Sequence, residues 1–214
     1  MNGVGYFPKL PQDTALPAPY TPYPEGKLLF TSVGEYTLTT SNGKIRQLPI
    51  SALQTLKITP PWEVSFDPER GGPAHIRFDS LMFWNTHPYP AIRYYSGTAE
   101  YANTFILNEA YSRQRVYLSL GQVYNMVEVY INEKPAGVWW HPPFERDITA
   151  LLKPGENKLR INVINLWPNR LIGDAGLPEN ERLTHTNVIK FTPEMPLLPS
   201  GLIGPVELKI YPFE

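Results

Sequence analysis

The sequence contains no cysteine and no long apolar run, and each absence removes a class of protein. Without cysteine, the 214 residues cannot form a disulfide, a thiolate nucleophile or a cysteine-ligated zinc site. No basic segment followed by an apolar one stands near the beginning, and no apolar run approaches the roughly 18 residues that a membrane-spanning helix needs. We therefore expect a soluble chain with no membrane partner. The absence of cysteine does not distinguish an oxidising from a reducing compartment, because periplasmic proteins can also lack it.

An excess of charge of either sign is also missing. Lysine and arginine number 19 and aspartate and glutamate 20, so the composition does not indicate a nucleic acid partner. The motifs G-x-S-x-G and H-E-x-x-H and a phosphate-binding glycine loop are absent. The histidines are too dispersed to predict a metal site: His75, His87, His141 and His185. These absences argue against serine hydrolases and metalloenzymes, and we expect an uncharged partner and no cofactor.

The chain is rich instead in aromatic residues, at 13%, and in proline, with 24 residues. This composition is typical of short strands joined by stiff turns. Apolar and polar residues alternate in several runs, for example at Val127, Val129 and Ile131, and turn residues separate these runs. No amphipathic helix lies between them. The pattern predicts an all-β fold, a two-sheet sandwich rather than a βα barrel.

Three segments of the chain differ in pattern. Residues 1–33 include a proline-rich stretch without periodicity, which predicts an extended arm or linker. Residues 34–58 alternate on both sides of Asn42-Gly43, a dipeptide favoured in type I′ turns, and predict a β-hairpin extension. Residues 59–214 carry the remaining strand patterns and predict the sandwich itself.

A turn is predicted at Asn132 to Lys134, after the strand at Val127 to Ile131, and the returning run ends in two adjacent tryptophans, Trp139 and Trp140. Successive side chains of a strand point to opposite faces, so both rings cannot fill the same core. One of them must therefore meet something other than the core of the sandwich, either a ligand or another domain.

The same region carries a resemblance to a known family. The runs VEVYIN, PFERDIT and LLKPGEN, with YYSGTAEYANTFIL upstream, resemble the sugar-binding domain of glycoside hydrolase family 2. The runs WEVSFDPERGGP, NLWPNRLIGD and LLPSGLIGPVEL are similar to the carboxy-terminal module of family 106, the α-L-rhamnosidase-type enzymes. The resemblance covers roughly Trp62 to Leu208. It implies a galactose-binding-like jelly roll, a carbohydrate partner, a catalytic domain in a longer parent enzyme and a periplasmic or extracellular location. Such modules often hold a structural calcium, which is therefore a further expectation.

Catalysis by this chain alone is not expected. Glycoside cleavage normally needs two carboxylates about 5 to 10 Å apart around a bound sugar. The chain lacks the pattern of a catalytic barrel, and none of its candidate carboxylates stands in a recognisable catalytic context: Asp67, Glu69, Asp79, Glu100, Asp147 and Asp174. We expect a non-catalytic domain that is part of a glycoside hydrolase.

Sugar recognition needs an exposed aromatic ring for the C–H face of the pyranose and planar polar side chains for its hydroxyls. Trp62, which alternates with Val64 and Phe66, is expected in the core. The candidate sugar-binding residues are Trp84, Trp139, Trp140, His141, Trp167, Asn169, Arg170 and Asp174.

Two functions remain open for these residues. The first is a carbohydrate-binding accessory domain, which the run PNRLIGD favours because it places amide, guanidinium and carboxylate groups beside a tryptophan. The second is a structural module that buttresses the catalytic barrel without binding sugar, which the run WWHPPF favours because its neighbours are largely apolar.

Overall fold

The computed structural model describes residues 20–23, 27–30, 33–39, 41–50, 54–111, 114–187 and 190–211. Most of the elements within these ranges are strands. They are β1 (Tyr20–Tyr23), β2 (Lys27–Phe30), β3 (Gly34–Thr39), β4 (Ile45–Ile50), β5 (Gln54–Lys57), β6 (Trp62–Phe66), β7 (Ile76–Phe78), β8 (Thr98–Leu107), β9 (Arg115–Ser119), β10 (Gln122–Tyr124), β11 (Met126–Ile131), β12 (Lys134–Trp139), β13 (Glu145–Asp147), β14 (Gly155–Ile164), β15 (Gly201–Gly204) and β16 (Glu207–Tyr211). The α-helices are α1 (Pro90–Arg93) and α2 (Pro168–Ala175). Short 3₁₀ turns span Pro68–Arg70, Trp84–Thr86, Glu109–Tyr111, Thr149–Leu151 and Glu179–Glu181.

The strands build two main antiparallel sheets. A six-stranded sheet has the order β12-β11-β14-β8-β6-β7, and a four-stranded sheet has the order β13-β9-β16-β5. The longest pairing joins β8 and β14 over ten residues, from Thr98 opposite Ile164 to Leu107 opposite Gly155. Strands β10 and β15 form a further antiparallel pair. The predicted all-β sandwich is confirmed.

The core lies between the two sheets and follows the predicted alternation. Val127, Val129 and Ile131 of β11 are fully buried, and Leu118 and Leu208 of the four-stranded sheet belong to the same cluster. Each fully buried aliphatic side chain contributes about 1.5–3 kcal/mol relative to an exposed one. Burial of the alternate residues therefore fixes which face of each strand points inward.

The predicted hairpin is present, although its loop is longer than a two-residue turn. Strands β3 and β4 pair from Gly34 opposite Ile50 to Thr39 opposite Ile45, which leaves five residues between them. Of the Asn42-Gly43 dipeptide, Gly43 has φ 80°, a value that glycine adopts without steric cost.

The three-part division of the chain remains a prediction. The arm predicted over residues 1–33 lies mostly outside the described residues, and within it β1 and β2 pair with each other. Strand β5 falls inside the segment predicted as the hairpin extension, 34–58, but pairs with β16 of the four-stranded sheet.

A tight turn between β11 and β12 determines where the tryptophan pair lies. Asn132 and Glu133 have φ 50° and 63°, as a type I′ turn requires. The Asn132 side chain donates to the Asn157 Oδ1 atom at 2.8 Å, which fastens the turn to β14. The returning strand then places Trp139 opposite Val127. The turn predicted at Asn132 to Lys134 is confirmed.

Candidate functional site

Sheet register brings three distant segments to one end of the six-stranded sheet. Phe66, the last residue of β6, pairs with Ala99 near the start of β8, and Ala99 also pairs with Val163 near the end of β14. The residues that follow β6, precede β8 and follow β14 must therefore lie side by side. A candidate site forms where these segments meet, next to helix α2.

The segment after β14 is fixed before the helix begins. The Asn165 side chain donates to the Tyr95 carbonyl at 2.8 Å and accepts from the Gly97 N–H at 2.9 Å. Helix α2 then starts with Pro168 in its first turn, where a missing N–H costs no intrahelical hydrogen bond. Trp167, directly before the helix, keeps 58% of its surface exposed.

Helix α2 buries an ion pair. The Arg170 Nη1 atom lies 3.3 Å from the Asp174 Oδ1 atom, one helical turn away, and both side chains are at least nine-tenths buried. The other oxygen of Asp174 accepts from the Thr184 N–H at 2.8 Å and from its hydroxyl at 2.6 Å. Within the described part of the chain, the Arg170 Nε and Nη2 atoms are buried without a hydrogen-bond partner.

The segment after β6 forms a compact turn that faces Trp167. Asp67 begins the 3₁₀ turn, since its Oδ1 atom accepts from the Glu69 N–H at 2.9 Å, while its Oδ2 atom lies 3.4 Å from the Arg70 Nε atom. The backbone N–H of Asp67 donates to the Tyr95 hydroxyl at 3.1 Å. The Arg70 guanidinium lies 6.0 Å from the centre of the Trp167 ring, near the limit of a cation–π contact.

Two neighbouring clefts open around Trp167 and share Asp67, Arg70, Ser96 and Trp167. The first, of about 420 Å³, is completed by Gly97, Thr98, Ile164 and Asn165. The second, of about 300 Å³, is completed by Glu69, Arg170, Leu183 and Thr184. A third cleft of about 500 Å³ contains Asp174, Thr184 and His185. An exposed aromatic ring thus lies among hydroxyl, guanidinium and carboxylate groups, which suits a polar ligand with one apolar face.

Comparison with known proteins identifies the family. The family model described as "Glycosyl hydrolases family 2, sugar binding domain" matches residues 65–185, more than half of the chain. The chain belongs to this sugar-binding domain family. The resemblance found in the sequence is therefore confirmed.

Individual relatives match this chain over only part of their own, much longer chains. A putative beta-glucuronidase of Formosa agariphila is 34% identical over 215 residues, which cover 89% of this chain and 18% of the relative. The solved rhamnosidase of Novosphingobium sp. PP1Y is 34% identical with a TM-score of 0.70, over 76% of this chain and 16% of the rhamnosidase. A beta-glucuronidase of Ruminococcus gnavus shares the fold, with 20% identity and a TM-score of 0.54 over 77% of this chain and 29% of the enzyme. The chain spans less than a fifth of the first two.

The structure divides the predicted sugar-binding residues of this domain into three groups. Helix α2 and its entry bring four of them together: Trp167, Asn169, Arg170 and Asp174. Asn169 is buried, and both ends of its side chain are used, donating to the Leu198 carbonyl at 2.8 Å and accepting from the Leu198 N–H at 2.7 Å. Asn169 thus holds the loop before β15 against the helix.

Two of the tryptophans predicted to bind sugar require correction. Trp84 is fully buried, and its indole N–H donates to the Tyr101 hydroxyl at 2.6 Å. Trp139 is 1% exposed and belongs to the core between the sheets. Neither ring has a free face for a sugar, because each is surrounded by the hydrophobic core.

The third group stands apart from the clefts around Trp167. Trp140 is 69% exposed, and its ring centre lies 4.8 Å from that of His141 in an edge-to-face arrangement. Neither residue lines the three clefts described above. The prediction that Trp139 and Trp140 meet different surroundings is confirmed, and Trp140 is the exposed one.

Part of the candidate site is not evident from the sequence. No sequence pattern singles out Arg70 or Ser96, and Asp67 appears there only among the candidate catalytic carboxylates. Ser96 is buried; its hydroxyl donates to the Leu166 carbonyl at 2.9 Å and accepts from the Arg170 N–H at 3.3 Å. One sequence feature does point to this part of the site: Asp67-Pro68 follows the strand pattern of Trp62, Val64 and Phe66, and loops at strand ends often carry binding groups.

The described residues contain no group of three or more histidines, aspartates or glutamates that could hold a metal ion. The structural calcium implied by the resemblance stays a prediction. Among the described residues, the helices are all too short or too polar to cross a bilayer.

Proposed function

We propose that this chain is a non-catalytic carbohydrate-binding accessory domain of a longer glycoside hydrolase, and that the sugar binds at Trp167. One observation carries the proposal: Trp167 is 58% exposed at the border of two clefts whose other lining residues are mostly polar or charged. An exposed indole is stable in water only at a cost, and a pyranose ring would cover it.

The chemistry of the cleft matches a sugar. The ring of Trp167 offers a flat apolar surface to the C–H face of a pyranose. Arg70 and Asp67, each with about half of its side chain exposed, can donate to and accept from hydroxyl groups at the edge of that ring. Because these two side chains already pair with each other, they are held in position before the sugar arrives.

Hydrolysis by this domain alone is not supported. Asp67 pairs with Arg70, and Asp174 is buried against Arg170 and Thr184, which leaves Glu69 as the remaining carboxylate that lines the two clefts at Trp167. A glycosidase needs two carboxyl groups, one to protonate the leaving oxygen and one to act as nucleophile or base. We therefore assign catalysis to another part of the parent enzyme, which we propose to be of the rhamnosidase type and to act in the periplasm or outside the cell.

A second candidate function is supported by Trp140. This ring is exposed near Val138, itself 49% exposed, and Pro142 and Pro143 are exposed beside it. The patch fits an interdomain contact, in which the domain would buttress the catalytic domain of its parent.

The two functions are separated by a matched pair of variants, Trp167→Ala and Trp140→Ala, because both rings are exposed and neither belongs to the core. Titration calorimetry of the 214-residue chain with L-rhamnose and other monosaccharides measures binding. If the proposal is correct, Trp167→Ala weakens binding about tenfold or more, since loss of a stacked ring costs about 1.5 kcal/mol. Trp140→Ala leaves it unchanged. Absence of binding across the panel, or loss only in Trp140→Ala, contradicts the proposal.

A further inference from the structure

Arg170 has one edge of its guanidinium engaged and one edge free. The Nη1 atom contacts Asp174, while Nε and Nη2 have no partner within the described residues. These two N–H groups form the parallel fork with which arginine holds two oxygen atoms at once. A buried donor without an acceptor destabilises the fold, so a fork left open inside the protein suggests a ligand group that completes it.

The free edge lies beside the cleft that contains Trp167. Arg170, Leu183 and Thr184 all line the 300 Å³ cleft. A Cβ atom built on Gly71 would lie 3.7 Å from the Arg170 Nη2 atom and 2.3 Å from the Leu183 Cδ1 atom. Gly71 and the Leu183 side chain therefore cover this end of the fork. Leu183 is 49% exposed, so its side chain can turn away when a ligand enters.

The charges around the fork favour an uncharged ligand. Arg170 is already neutralised by Asp174, and Arg70 is neutralised by Asp67. Glu69 lines the same cleft. These five groups carry two positive and three negative charges, which give a formal sum of −1. A carboxylate on the ligand would add a second net negative charge next to a region of low dielectric, which is unfavourable. Two hydroxyl oxygens accept from the fork without that cost.

We propose that Arg170 is a specificity-determining residue that binds two adjacent hydroxyls of an uncharged sugar, and that the cleft therefore discriminates against uronic acids. The inference rests on the proposed function, since it concerns the sugar that stacks on Trp167. It adds the chemical class of that sugar and the group that selects it.

The test uses pairs of ligands that differ only at C6. The methyl glycosides of galactose and galacturonic acid, and those of glucose and glucuronic acid, share their ring hydroxyls but differ by one carboxylate; methyl α-L-rhamnoside is a further neutral probe. Calorimetry on the 214-residue chain at pH 7 measures each affinity. We expect at least one neutral glycoside to bind, and an acid of the same ring to bind about tenfold more weakly or worse.

Variants assign this discrimination to the fork. Arg170→Lys keeps a positive charge near Asp174 but removes the fork, and should weaken binding of the neutral sugar about tenfold or more. Arg146→Lys, an exposed replacement on β13, is the matched control and should change nothing. Glu69→Gln should reduce the difference in affinity between the neutral sugar and the acid, because it removes one negative charge from the cleft. Thermal melts of each variant report whether the fold persists, and the ligand pairs on the unmodified chain test the inference independently of any variant.

Each result has one meaning. Equal or tighter binding of the acids overturns the discrimination against uronic acids. Unchanged affinity in a folded Arg170→Lys variant overturns the role of Arg170 and indicates that buried water fills the fork. In either case, binding that still depends on Trp167 leaves the proposed function standing. Absence of binding by every glycoside overturns both.

Discussion

Replacement of Asp174 by asparagine tests whether the buried ion pair holds helix α2 in place. The side chains differ little in volume, so the change removes charge without opening a cavity. Asp174 accepts three hydrogen bonds, one from Arg170 and two from Thr184. An asparagine amide has one oxygen and one NH₂ group. Its NH₂ group would therefore face a donor, either the Arg170 guanidinium or the Thr184 N–H.

The expected loss of stability is large because a guanidinium stays buried. The side chains of Arg170 and Asp174 are 9% and 3% exposed, and removal of one partner of a buried pair typically costs about 3–5 kcal/mol. With a urea slope of about 2 kcal/mol/M, the unfolding midpoint should fall by about 1.5–2.5 M. Tryptophan fluorescence can follow this unfolding.

The exposed pair between Arg77 and Asp79 provides the control. The Arg77 Nε atom lies 3.1 Å from the Asp79 Oδ1 atom, but the Asp79 side chain is 84% exposed. Asp79→Asn should therefore lower the free energy of unfolding by less than about 1 kcal/mol. The double variant Arg170→Met with Asp174→Asn should recover part of the loss, because it no longer buries an uncompensated charge. A cost below about 1 kcal/mol for Asp174→Asn would show that solvent or another group compensates Arg170, and the reasoning about a low-dielectric site would fail.

Three further predictions concern the framework of the domain. Gly201→Ala should destabilise it by about 1–3 kcal/mol in urea unfolding, because the residue has φ 108° and a Cβ atom would lie 2.8 Å from the Trp84 ring; unchanged stability would contradict this packing. Asn132→Ala should cost about 1 kcal/mol more than Asn132→Gly, because only glycine accepts φ 50° without strain; equal losses would mean that the side-chain hydrogen bonds alone matter. Burial, reinforced by the charge of Arg93, lowers the pKa of His87 below 6.5 in the folded protein, so the unfolded chain binds more protons in this pH range. The free energy of unfolding should therefore fall as the pH drops from 6.5 towards the lowered pKa. Unfolding measured at several pH values should show a flatter dependence for His87→Gln.

The fold was predictable because its signals are local. The alternation of Val127, Val129 and Ile131 reflects one strand with one buried face, and the burial of all three follows directly from it. The turn at Asn132 was equally local, since only a few residues determine its geometry. Such features need no knowledge of distant parts of the chain.

The orientation of the tryptophan pair needed more than alternation. The sequence indicates that Trp139 and Trp140 face opposite ways, but not which of them is buried. The answer depends on the register of β12 against β11, which shifts between Val129 and Tyr130. A shift of one residue exchanges the two faces of a strand. The fate of Trp84 was harder still to predict, because its indole partner, Tyr101, belongs to a different element.

The cleft itself depends on the order of strands in the sheet. WEVSFDPERGGP and NLWPNRLIGD are almost a hundred residues apart, and in the sequence they are two separate points of resemblance. Strand β8 lies between β6 and β14, so residues of both runs meet beside Ser96. Asp67 and Arg70 thus lie near Trp167 and Arg170 because the central strands pair in this order. A functional prediction for a sandwich of this kind should therefore begin from residues that follow neighbouring strands, because the sheet brings these together whatever their distance in sequence.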